Sequence, residues 1–163
     1  MARIGSILTG LLALILLTAS CTGGEQAAGT RTAASRARTL AAAYLAIAQP
    51  ANHRLDTEVD GFTDHEHAGV AAAESDLRAE AATEQRFDRL LSKIRFPPRI
   101  AVTARALIQA NARRIALTLR QARSSSVTGL LSFARRHRAA GAAVETQVRI
   151  IRRDLGLPPP QNS

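Results

Sequence analysis

Glu80 and Glu84 stand four residues apart, a spacing that places both carboxylates on one face of a helix, one turn from each other. Each also falls on the apolar stripe of its segment, as do Asn111 in the following segment and His137 in the last. An unpaired carboxylate inside a protein is costly, so these groups must find partners, and a protonated His137 or Arg114 has the right charge. The expectation is a buried polar layer of Glu80, Glu84, Asn111 and His137 near mid-length of the helices, with Tyr44 close to the same level. Two carboxylates with an imidazole are also ligands that a divalent metal accepts, and helical bundles build metal sites from facing helices. The Glu-x-x-His pairs of the ferritin-like pattern do not occur, so no metal and no cofactor is assigned, and a metal- or small-ligand-binding bundle is kept as the alternative.

Other metal-competent groups carry less. Asp56-Thr57-Glu58-Val59-Asp60-Gly61 has the alternating acids and glycine that begin an EF-hand loop, but the twelfth position, where a bidentate Glu is needed, falls on His67. Asp64-His65-Glu66-His67 lacks the His-Glu-x-x-His spacing that aims two imidazoles at one ion. Asn52 and His53 follow Pro50 and suit an opening at a helix bend. No Gly-x-Ser-x-Gly or Ser-x-x-Lys context surrounds any serine, and there is no glycine-rich phosphate loop, so no catalytic residue is assigned.

The remaining reactive group is Cys21, the single cysteine of the chain, which can form no internal disulfide. Before it lie a short positive start ending at Arg3, an apolar run from Ile4 to Leu17, and Thr18-Ala19-Ser20, the three parts of a signal peptide. The apolar run is shorter than the roughly 20 residues that span a bilayer. Leu17-Thr18-Ala19-Ser20-Cys21 resembles the lipobox of bacterial lipoproteins, with Leu17 one place further from the cysteine than is usual. That resemblance implies removal of residues 1–20, lipid on Cys21, and residence on the extracytoplasmic face of the cell membrane, with a general secretory route. Two acyl chains on one sulfur suffice for stable anchoring.

Four helical segments and no alternating strand pattern follow, which predicts an all-α, up-down four-helix bundle over residues 33–157. Residues 21–32 read as a flexible lipidated tether and 158–163 as a disordered Pro-rich tail. The first helix spans about Ala33 to Val59, buries Leu40, Tyr44, Ile47, Ala51, Leu55 and Val59, and is kinked or broken at Pro50. The second spans about Asp64 to Ile94 and is stopped by Phe96-Pro97-Pro98. The third, from about Arg99 to Arg123, buries Ile100, Ala104, Leu107, Ile108, Ile115 and Leu119. Ser124-Ser125-Ser126 then supplies a turn and an N-cap. The fourth keeps a three-four stripe through Leu130, Ala134, His137, Gly141, Val144, Val148, Ile151 and Leu155, ending at Gly156. Much of the apolar fraction is alanine and only 3% of residues are aromatic, so burial has to come from close helix packing.

The lipobox, Phe96-Pro97-Pro98 and the ending Arg153-Asp154-Leu155-Gly156-Leu157-Pro158-Pro159 together resemble small, alanine-rich helical lipoproteins of actinobacteria, a group of uncharacterised function. The resemblance implies the fold and the location, and brings no catalytic residues.

The net charge of +9 is unevenly placed. Residues 56–88 hold ten acids and two bases, whereas residues 89–163 hold fifteen bases and two acids. The simplest outcome is pairing of Glu74, Asp76 and Asp88 with arginines of neighbouring helices. The sharper one is an arginine-rich face, from Arg105, Arg113, Arg114, Arg120, Arg123, Arg135, Arg136 and Arg138, that holds anionic lipid or an envelope polymer. Nucleic acid is not expected, because the leader directs the domain out of the cell and Phe133 is the one aromatic between Arg105 and Arg138 to stack on bases. The chain therefore reads as a non-catalytic, membrane-anchored binding or structural module of the cell envelope.

Overall fold

The computed structural model describes residues 23–65 and 69–160. The leader, Cys21, residues 66–68 and the last three residues of the tail lie outside the described residues, and so do the readings that fall on them. The described chain is all-helical: α1 (Gly23–His65), α2 (Val70–Leu91), α3 (Pro98–Gln121), the short α4 (Val127–Leu131) and α5 (Ala134–Asp154). No strand occurs among the described residues. The four long helices form a bundle in which α1 packs on α2, α2 on α3, and α3 on α5.

Each packed pair runs antiparallel, as side-chain partners show. Tyr44 and Glu58 of α1 meet Phe87 and Thr83 of α2, and Glu80 and Asp88 of α2 meet Arg114 and Asn111 of α3. Two apolar clusters occupy the ends. At one end Ala41, Tyr44 and Ala48 pack with Leu91, Ile100, Ala104, Leu107, Ile151 and Leu155, so all four long helices converge there. At the other, Ala73 and Leu77 meet Ala122 and Leu130, with Phe62 alongside. α1 and α5 do not pack along their lengths and are joined through the first cluster.

Several boundaries differ from those expected, each for a local reason. α1 begins at Gly23, so the part of the expected tether from Gly23 to Thr32 is helical. Glu25, Gln26, Ala27 and Ala28 are strong helix formers, and an acid in the first turn suits the helix dipole. Its 43 residues make a rod of about 65 Å at about 1.5 Å per residue. Side chains 32–39 are all exposed and Ala41 is the first buried one, so the N-terminal part of α1 runs past the end of the bundle.

Pro50 lies inside α1 without ending it. The helix then continues to His65, past the expected stop at Val59, because Gly61 is tolerated at a cost of about 1 kcal/mol. A Cβ at Gly61 would lie 3.4 Å from the Asp76 carboxylate, an ordinary contact, so α2 packs beside this glycine without requiring it. Residues Asp56 to Gly61 are therefore helical, and Asp56, Glu58 and Asp60, each two residues from the next, point to different sides of the helix. Val59 is 43% exposed rather than buried.

The Pro97 and Pro98 reading holds, with Pro98 as the first residue of α3, where its missing N–H costs nothing. The expected fourth helix is interrupted after Leu131. The Ser132 hydroxyl donates to the Gly129 carbonyl at 2.7 Å and competes with the helical ladder, and the resulting offset leaves Ala134 exposed. Ser126 does cap α4, its Oγ accepting from the Gly129 N–H at 3.1 Å. α5 ends in a Schellman motif: Gly156 takes φ +69°, Leu157 N–H donates to the Arg152 carbonyl at 2.8 Å, and Gly156 N–H to the Arg153 carbonyl at 3.0 Å. The Arg152 Nε also donates to the Pro158 carbonyl at 2.7 Å, which ties down the start of the tail.

Leu107 is fully buried on α3, whereas Val102 on the opposite face is 59% exposed. Leu107→Ala is expected to lower the unfolding free energy by about 2–5 kcal/mol, and Val102→Ala to change it by less than about 0.5 kcal/mol. Urea denaturation of both variants checks this, and equal losses would contradict the assignment of the two faces.

Candidate functional site

Between the two apolar clusters the helices present polar side chains to one another. α2 contributes Glu80, Thr83 and Glu84, all buried, and the half-buried Asp88. α3 contributes buried Asn111, Thr118 and Gln121 with half-buried Arg114, at the three-four spacing that keeps them on one face. α1 supplies Glu58 and α5 supplies His137, both half-buried. The expected layer of Glu80, Glu84, Asn111 and His137 is thus brought together from α2, α3 and α5.

Arg114 is its hub. Its Nη2 donates to Glu80 Oε1 at 2.7 Å and its Nε lies 3.0 Å from Glu84 Oε1, so one guanidinium spans two carboxylates one turn apart. On either side run two neutral-to-acid bonds: Asn111 Nδ2 to Asp88 Oδ1 at 2.7 Å, and Thr83 Oγ1 to Glu58 Oε1 at 2.8 Å. Toward the far end, Gln121 Nε2 donates to the Leu130 carbonyl at 2.9 Å and pins α4 against α3.

The layer holds four carboxylates, Glu58, Glu80, Glu84 and Asp88; Arg114 bridges two of them, and the exposed Arg54 acts on Glu58. The second oxygens of Glu58 and Glu84, Thr118 Oγ1 and His137 Nε2 are buried without a hydrogen-bond partner. This imbalance has electrostatic consequences. Burial pushes Glu84 up to about 7 against the pull of Arg114, with Glu80, Asp88 and Glu58 pushing the same way as burial. Burial likewise raises Asp88 to about 6, opposed by the Asn111 bond. Glu58 is raised by burial despite the Thr83 bond. Burial works against the charge of Arg114, but Glu84 and Glu80 outweigh it and hold the guanidinium more firmly protonated. For His137 burial lowers the pKa, only partly offset by Glu80.

His137 therefore favours the neutral form. It makes no bond to Glu80 or Glu84, and its ring instead lies 6.5 Å from that of Phe133. Of the two partners expected for the carboxylates, Arg114 takes the role and His137 does not, because burial disfavours the charged imidazole more than Glu80 favours it. Tyr44 is nearly fully buried in the apolar cluster, with its ring 6.5 Å from Phe87 and edge-on to it, and is no member of the polar layer.

The expected cross-helix pairing with arginines is corrected for Glu74 and Asp88. Glu74 pairs with Arg78 within α2, and Asp88 bonds Asn111 rather than an arginine. Asn52 and His53 are exposed, and the crevice of about 130 Å³ near Pro50 is lined instead by residues such as Ile47, Arg54 and Thr83. Among the described residues, no group of three or more His, Cys, Asp or Glu side chains is placed to hold a metal ion. Sequence reading missed Glu58, Thr83 and Thr118. The last could have been found by continuing the Asn111 stripe to residues 118 and 121.

What fold and site together define is an all-helical bundle with a buried, acid-rich ionic layer. No protein-family model, curated protein or solved structure matches the chain.

Two outcomes follow for stability. Glu84 and Asp88 bind a proton more tightly in the folded state, so their contribution is present below the ordinary carboxylate range and is lost as pH rises through about 6 and about 7. His137 acts oppositely, its contribution being lost as pH falls through its lowered value. The melting temperature is thus expected to fall between pH ~4.5 and pH ~7, and Glu84→Gln to flatten that decline; an unchanged slope in the variant would contradict the role given to Glu84. Removing the hub by Arg114→Met leaves two carboxylates unpaired and is expected to cost about 3–5 kcal/mol at neutral pH. Denaturation at mildly acidic pH should show a smaller loss, because protonated acids no longer need the cation.

Proposed function

We propose that this chain is an exported lipoprotein, cut before Cys21 and held by lipid on the extracytoplasmic face of the cell membrane, where an up-down four-helix bundle serves as a non-catalytic binding or structural module of the envelope. One observation carries the reading: the only cysteine of the chain follows an apolar run and the small residues Thr18-Ala19-Ser20. Support comes from the lipobox-like order of Leu17 to Cys21 and from the likeness to small actinobacterial lipoproteins. No described helix is long and apolar enough to cross a membrane, so in this reading membrane attachment rests on the lipid.

The architecture fits that role. α1 leaves the bundle at the end where Phe96, Ile100 and Leu155 cluster and runs toward Cys21, so it would act as a helical stalk. The interior is filled by seven alanines, nine larger apolar side chains and the ionic layer, which suits it to presenting a surface.

Mass spectrometry of the protein recovered from bacterial membranes is expected to show loss of residues 1–20 and a diacylglycerol thioether on Cys21. Cys21→Ser should move the protein out of the membrane fraction or leave the leader uncut. An unmodified thiol on the mature wild-type protein would end this reading.

A further inference from the structure

The fifteen bases after residue 88 find few acids to meet. α3 carries no acidic residue, and its face opposite the buried stripe bears Arg105, Arg113 and Arg120, with Arg123 just beyond its end; all four are exposed. None of the four makes an ion pair or hydrogen bond among the described residues. Of the two acids on α5, Asp154 is taken by Arg99 and Arg153, and Glu145 makes no ion pair with any of the four. The fold makes no use of these cations, and their mutual repulsion slightly disfavours it.

Their placement is linear. Arg105, Arg113 and Arg120 are separated by eight and seven residues, about 12 Å and 10.5 Å along a helix rising about 1.5 Å per residue. The guanidinium fork grips planar or tetrahedral oxyanions in a bidentate way that an ammonium does not. From these observations we infer that the outward ridge of α3 is a docking surface for an extended polyanion of the envelope, a chain bearing phosphate or carboxylate groups at intervals, lying along Arg105, Arg113, Arg120 and Arg123.

The occupant is a polymer rather than the bilayer for a geometric reason that rests on the anchored reading above. From Gly23 to the first buried residue, Ala41, α1 extends about 25 Å at about 1.5 Å per residue. Electrostatic attraction fades over about 8 Å at physiological salt. The ridge also runs along the bundle axis, away from the lipid surface, and cannot lie flat against it while α1 stands.

The test uses the full processed protein in neutral detergent, titrated with linear polyphosphate, with polygalacturonate, and with phosphatidylglycerol vesicles. Tight, salt-dependent binding of either polymer is expected, and which of the two binds better identifies the oxyanion. The triple variant R105Q/R113Q/R120Q should weaken binding by at least about tenfold and reduce the slope of log K against log salt by about 2–3. R86Q/R89Q/R95Q removes the same charge from exposed positions elsewhere and should weaken binding far less. Melting curves confirm that both variants fold, since all six arginines are exposed. Equal weakening by the two variants, no polymer binding, or a preference for vesicles mediated by the same arginines would each overturn the inference. An unlipidated Cys21 would sink the anchored reading while leaving the polymer titration to be judged separately.

Discussion

The guanidinium of Arg114 bridges two of the four carboxylates in the polar layer, and the register of the bundle depends on it. Its two bonds to Glu80 and Glu84 fix α3 against α2 along the axis, because a shift of one turn would leave both acids buried and unpaired. Apolar packing cannot do this alone here. Seven of the sixteen buried apolar residues described are alanines, and where alanine faces alanine one stripe slides over another with little change in energy. A buried charge in the wrong place is far more costly than a displaced methyl group, so a small amount of ionic chemistry decides which of several similar packings is adopted.

That arrangement also explains the order of the interior along the axis. The large side chains, Tyr44, Leu91, Leu107 and Ile151, gather at the end where α1, α2, α3 and α5 all converge. At the opposite end α1 and α5 are not in close contact, and α4 closes part of the gap through Leu130, held by Gln121. The ionic layer lies at the transition between a tightly packed half and a looser one. Its half-buried members, Glu58 and His137, belong to α1 and α5, the two helices that do not pack on each other.

Much of this was legible in the sequence wherever periodicity and punctuation agreed. The three-four stripes located the inward faces of α2 and α3, including Glu80, Glu84 and Asn111, and Pro97-Pro98, Ser126 and Gly156 marked element ends by chemistry that is purely local. The reading went astray where a local signal was ambiguous. Gly61 and Pro50 both punctuate loops in isolation, yet α1 runs through each, because packing against α2 outweighs the local propensity. Ser132 carries no obvious stop signal, but its hydroxyl bond to Gly129 breaks the last helix and turns Ala134 outward. The identity of the acid-neutralising partner was open between Arg114 and His137, since only the three-dimensional arrangement shows that the guanidinium reaches both carboxylates while burial keeps the imidazole neutral.

The packing of Tyr44 against Phe87 has a practical corollary. The chain has no tryptophan and only this tyrosine, so its near-ultraviolet absorption and intrinsic fluorescence arise almost wholly from one phenol ring at the convergence of the four long helices. Any event that loosens that end, whether a change of protonation in the adjoining layer or a force applied through the long first helix, registers in the spectrum of a single chromophore, without a label and without interference from the rest of the molecule.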